Sequence, residues 1–135
     1  MASAPGRSRS SEPPILVAED DRFMRKAVQT TLERGGHAVV TANDGEEALK
    51  VARDRQPRLV ILDLIMPKVQ GFEVLRELKT DPATREIPVI VLSNLGQERD
   101  KERTLGEGAV AYLVKADLSL DELARVVDRV LGGAP

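Results

Sequence analysis

The sequence predicts an α/β domain of the (βα)5 type, a parallel sheet covered by helices on both faces. Three observations predict it. Five short apolar runs lack the polar alternation of a half-exposed strand, so each is expected to be covered on both sides. Helix-like segments lie between them, and right-handed crossovers then place helices on both faces of one sheet. A length of 135 residues fits one compact domain and leaves no room for two.

In chain order, residues 1–14 are rich in Ser, Pro, Gly and Ala without apolar periodicity, and read as a disordered leader. A domain is expected over 15–132, with a short tail at 133–135. Its strand-like runs are 15–18, 38–42, 59–62, 89–92 and 109–114. The segment 21–34 spaces Met24, Val28 and Leu32 four apart and is ended by Gly35-Gly36. A second helix over 45–55 carries Ala48, Leu49 and Ala52, with Asp44 as N-cap and Pro57 as a stop. Phe72, Leu75 and Leu78 mark a third over 72–79, and Ser119 caps a last one over 120–131 built on Leu120, Leu123, Val127 and Val130. The segment 97–106 differs, since only Leu105 is large and apolar. A short helix with so little to bury should be weakly docked.

Composition excludes several functions. Aromatics are 2% of the chain, too few for a base-stacking surface, and the net charge of -2 offers no general attraction to a phosphate backbone. Without cysteine there are no disulfides or thiolate sites, and the lone His37 cannot build a multi-histidine metal centre. Neither a signal peptide nor a stretch of membrane-spanning length is present, so a cytoplasmic protein with no nucleic-acid or membrane partner is expected.

In parallel α/β sheets, sites form beyond the carboxyl ends of the strands. Glu19, Asp20 and Asp21 follow the first run, Asp63 the third and Ser93 the fourth, while Lys115 closes the fifth. Singly, each has a plain structural reading. Asp20 or Asp21 suits a helix N-cap, Asp63 a turn before Met66-Pro67, Ser93 a loop hydroxyl and Lys115 a solvated charge. Together they gather crowded carboxylates, a hydroxyl and an ammonium on one rim. Crowded carboxylates repel unless a cation sits among them, and hard oxygen ligands suit Mg²⁺. A carboxylate beside such a cation can attack a phosphoryl group.

These residues also carry a resemblance. The chain resembles the receiver domains of bacterial response regulators from Ile15 to Leu131, through ILVAEDD at 15–21, LVILDLIMPKVQGFEVL at 59–75, IPVIVLSN at 87–94 and AYLVKAD at 111–117. The resemblance implies a flavodoxin-like fold with strand order 2-1-3-4-5. It implies Asp63 as phosphoacceptor, loaded from the phosphohistidine of a sensor histidine kinase or a phosphotransfer protein. Asp20, Asp63 and the Ile65 backbone carbonyl would bind Mg²⁺, with Glu19 acting through water. Ser93 and Lys115 would hold phosphoryl oxygens, and Tyr112 would change rotamer as Ser93 moves, although a ring packed at a strand edge suits Tyr112 equally. Gly71 would let the loop beneath the site turn. The output face would be the fourth helix, fifth strand and fifth helix.

Four positions depart from the family. Ala116 stands where proline usually follows the lysine, so a trans 115–116 bond or visible strain is expected. Asn94 is larger than the usual Ala or Gly and should slow phosphotransfer. Ile65 and Leu95 are apolar where a polar side chain often orients the attacking water, so self-hydrolysis of the phosphoaspartate should be slow. Only residues 132–135 follow Leu131, which suggests a stand-alone receiver signalling through a protein partner, not an enzyme in the usual sense. The alternative is a receiver-like scaffold that never takes phosphate, which would not need the whole acid–hydroxyl–lysine set. An aspartate-based phosphatase would need its second acid at Ile65, which cannot serve.

Overall fold

A computed structural model of the protein describes residues 12–66, 68–94 and 98–132. It contains β1 (Ile15–Ala18), α1 (Arg22–Arg34), β2 (Val39–Ala42), α2 (Gly45–Arg55), β3 (Leu59–Asp63), α3 (Gly71–Thr80), β4 (Val89–Ser93), α4 (Glu98–Gly106), β5 (Ala111–Val114) and α5 (Leu120–Gly132), with a 3-10 turn, Lys115–Asp117, after β5. The five strands form one parallel sheet in the order β2-β1-β3-β4-β5. This is the flavodoxin-like order the resemblance implies.

Two aliphatic layers explain the unalternating runs. Ile15, Val17, Leu59, Ile61, Ile90 and Leu92 face Val28 and Leu32 of α1 and Leu123 and Val127 of α5. Their neighbours Leu16, Ala18, Val60, Leu62, Val89 and Val91 face Ala48, Leu49 and Ala52 of α2 and Val74, Leu75 and Leu78 of α3. Each fully buried Leu, Ile or Val contributes roughly 1.5–3 kcal/mol of transfer free energy. The central strands β1, β3 and β4 are buried throughout, whereas β2 and β5 lie at the edges and are partly exposed.

The caps settle an ambiguity of the sequence. Asp21, not Asp20, caps α1, its Oδ1 accepting from the Phe23 and Met24 amides at 2.9 and 3.2 Å. Asp44 accepts from the Glu47 amide at 2.8 Å and opens α2. Ser119 and Glu122 form a reciprocal box before α5, with Glu122 N donating to Ser119 Oγ at 3.1 Å and Ser119 N to Glu122 Oε1 at 3.2 Å. Gly36, at φ 92°, supplies the left-handed turn after α1.

Other expectations need adjustment. Leu105 does not anchor α4: it is 39% exposed, and Thr104 is the buried residue of this helix. The Thr104 hydroxyl can be buried because it donates to the Asp100 carbonyl at 2.7 Å. Order also begins before Ile15. The Pro14 carbonyl accepts from the Arg58 amide at 2.9 Å, and the Arg58 guanidinium holds Glu12 at 2.6 Å. Residues 1–11 of the expected leader and the tail at 133–135 lie outside the described residues.

Candidate functional site

Parallel strands deliver their carboxyl ends to one rim, and the register sets the heights. Asp63 stands opposite Leu92 and Ser93 opposite Val114, so Ser93 follows one residue above Asp63 and Lys115 one residue above Ser93. The strands themselves extend to Asp63 and Ser93, so both side chains are held by the ladder rather than by loops. Asp63 is 4% exposed and Ser93 is fully buried.

Lys115 bridges the acids. Its Nζ lies 2.6 Å from Glu19 Oε1 and 3.2 Å from Asp63 Oδ2. Asp63 Oδ1 accepts from the Ile65 amide at 3.1 Å, and Glu19 Oε2 from the Asp21 amide at 3.1 Å. Asp20 is exposed at the mouth, and its carboxylate gathers with those of Glu19 and Asp63, one oxygen from each lying within 4.8 Å of the others. The cleft has a volume of about 290 Å³ and is lined by Glu19, Asp20, Asp63, Ile65, Asn94 and Lys115. No described peptide bond is cis, so 115–116 is trans, and Ala116 does not keep Lys115 from the acids.

The charges respond to this crowding. Burial pushes the Glu19 carboxyl up to about 7; Lys115 opposes the shift and Asp63 adds to it. Burial by itself would lower Lys115, but Glu19 and Asp63 together carry its ammonium above the ordinary value. Lys115 is therefore a firmly charged group facing an overcrowded acid pair.

Two glycines clamp the loop that carries Ile65. A Cβ on Gly71 would overlap the Leu64 backbone, and one on Gly45 would overlap Val69. Gly71 is thus needed for close approach, not for turning; the left-handed residue is Lys68, at φ 74°. Lys68 also reaches back to Asp44 at 3.5 Å. Sequence reasoning missed this tether, because a non-glycine in the left-handed region leaves no compositional mark. Tyr112 is 9% exposed, with its ring in the core layer of α2 and α3. Pro67 and Leu95 lie outside the described residues.

Such a sheet, with acids, a hydroxyl and a lysine at one end, defines a two-component signalling domain. The chain belongs to the response regulator receiver domain family, whose pattern it matches over residues 15–128. It is 40% identical over 116 residues to the gliding motility regulatory protein of Myxococcus xanthus, covering 86% of this chain and 15% of that protein. It also spans less than half the length of the transcriptional regulators it matches. The receiver domain of the Francisella response regulator 1452 superposes with a TM-score of 0.84 at 31% identity, covering 90% of this chain and 98% of that one. The Mn²⁺-bound form of the response regulator Rcp1 superposes at 0.76 with 28% identity, covering 87% and 93%. Among the described residues, no helix is long and apolar enough to cross a membrane.

Proposed function

We propose that Asp63 accepts a phosphoryl group in a Mg²⁺-dependent reaction and that the phosphorylated chain signals to a protein partner. One observation carries this reading. A buried carboxylate on a rigid strand end lies 3.2 Å from a charged lysine and beside two further acids, in a cleft open to a donor. As transfer proceeds, the P–N bond to the donor imidazole breaks while a P–O bond to an Asp63 oxygen forms. Lys115 then shifts its pairing from the carboxylate to a phosphoryl oxygen, and the Ser93 hydroxyl donates to another.

The residues present fit a divalent cation. The donors are hard oxygens close enough to share one ion, and burial with the neighbouring Asp63 already raises the Glu19 carboxyl. Asp20, Asp63 and the Ile65 carbonyl would hold Mg²⁺ directly, with Glu19 through water; Rcp1 offers the precedent of a Mn²⁺-bound response regulator. Bound there, the ion supplies charge that offsets the phosphoryl oxygens. The phosphodonor would be a sensor histidine kinase or phosphotransfer protein in the cytoplasm. The domain itself would touch no nucleic acid, and α4, β5 and α5 would form its output face, with Tyr112 as switch.

Intact-mass measurement after incubation with Mg²⁺ and acetyl phosphate tests the proposal. One added phosphoryl, absent in Asp63→Asn, supports it. A wild-type chain that stays unlabelled even with a cognate kinase turns the reading toward a phosphate-independent scaffold. Ile65 is 57% exposed at the cleft and offers no polar side chain to orient water. The phosphorylated protein should therefore decay over minutes or longer, and a lifetime of seconds would contradict this account of Ile65.

A further inference from the structure

The acidic turn between β1 and α1 carries Glu19 and Asp20, and among the described residues its Glu19 end is held by the Glu19 amide donating to the Ala42 carbonyl at 3.0 Å and by the Glu19 side chain pairing with Lys115 at 2.6 Å. Within the turn the Glu19 side chain accepts from the Asp21 amide at 3.1 Å, and a further fastening comes from Arg25, one turn into α1. Its amide donates to the Asp21 carbonyl at 2.9 Å, the ordinary first bond of the helix. Its Nη1 donates to the Glu19 carbonyl at 2.8 Å and lies 3.3 Å from the Asp20 carbonyl. One residue thus collects the successive carbonyls of 19, 20 and 21. The Asp21 side chain meanwhile holds the amides at the start of α1.

We propose that Arg25 is a positioning residue for divalent-cation binding, acting through its guanidinium bonds to the Glu19 and Asp20 carbonyls. The inference rests on the metal site proposed above. Asp20 is exposed at the mouth, so packing does little to fix it, and its backbone is the available lever. A guanidinium is suited to this task because it is always charged and its planar donors can serve two acceptors at once. Drawing both carbonyls to one nitrogen narrows the conformations open to the turn in which the carboxylates of Glu19, Asp20 and Asp63 lie close enough to share one ion. Supporting groups of this kind typically change metal affinity by about 10–100-fold when removed.

The sign of the effect separates positioning from simple electrostatics. Arg25 is a positive charge close to a cation site, so charge alone makes its removal strengthen metal binding. Positioning makes removal weaken it. The measurement is Mn²⁺ affinity of the full chain by EPR titration, for wild type, Arg25→Ala, Arg25→Gln and Arg25→Lys, well below each unfolding temperature recorded in EDTA. The expected result is a loss of about tenfold in Arg25→Ala, in line with other supporting groups. Arg25→Gln should also bind more weakly, and Arg25→Lys should recover part of the loss. Phosphorylation of Arg25→Ala by acetyl phosphate should be slow at low Mg²⁺ and recover at saturating Mg²⁺, a split that lower stability alone would not produce. Unchanged or tighter Mn²⁺ binding in Arg25→Ala overturns the proposal. If that variant does not fold, the same comparison in Arg25→Gln decides. Failure of the underlying metal site is distinct: wild type itself would bind Mn²⁺ no better than Asp20→Asn.

Discussion

At the scale of single residues, the site is a balance among Glu19, Asp63 and Lys115. In the unfolded chain the Glu19 carboxyl has its ordinary value of 4.5, while in the fold burial holds it near 7. Between those values the folded state keeps a proton that the unfolded state has released, so stability falls as pH rises through that window. Lys115 is raised above 10.5, so its contribution is fully present below that value and stays flat there. Urea midpoints in EDTA should therefore decline from about pH 4.5 to about 7, with the decline removed in Glu19→Gln. A slope that survives in Glu19→Gln would assign it elsewhere. Gly71 gives a second test. Its α-carbon faces the Leu64 backbone with no space for a methyl group, so Gly71→Ala should cost about 1–3 kcal/mol in urea unfolding. The strand-end rule made Glu19, Asp20, Asp63, Ser93 and Lys115 legible in the sequence. Arg25 and Lys68 were not, because a side chain that binds backbone carbonyls and a non-glycine in the left-handed region leave no periodic pattern.

At the scale of elements, apolar runs and spacing located the five strands and five α-helices of the described residues but not the 3-10 turn after β5, and the strands were legible because burial on both faces demands unbroken aliphatic residues. The ends were less so. β3 and β4 run on through Asp63 and Ser93, because the ladder continues whatever the side chain's polarity. Helix α4 was the least legible, since a threonine whose hydroxyl bonds its own helix replaces the expected leucine at the interface. What joins α4 to α3 is polar and aromatic. The Arg103 guanidinium sits 3.9 Å from the centre of the Phe72 ring, and Glu107 pairs with Arg103 and Arg76. Exposed contacts of this kind are worth about 1 kcal/mol or less apiece. The cap of α5 is a cleaner quantity. Ser119→Ala removes the hydroxyl that accepts from the Glu122 amide and should lower stability by about 1 kcal/mol without changing metal affinity; an unchanged urea midpoint would mean the hydroxyl's half of the box contributes nothing.

For the whole molecule, a ligand bound only by the folded state adds to stability in proportion to the logarithm of its concentration over Kd. Mg²⁺ at about 100 times its Kd should stabilise the chain by about 2.7 kcal/mol. Thermal unfolding with and without Mg²⁺ checks this, and Asp20→Asn should erase most of the increase. An equal increase in that variant would place the ion somewhere other than the cleft. The parallel order β2-β1-β3-β4-β5 explains why the effect should be global, since β1 and β3 lie at the centre of the sheet and Asp63 terminates one of them.

The site draws on residues as far apart in the chain as Glu19 and Lys115, and the last of them arrives only with β5. A ribosome-bound chain still missing β5 and the turn after it has Asp63 but not the ammonium beside it. If Asp63 is the phosphoacceptor proposed above, premature loading would thereby be discouraged by topology alone.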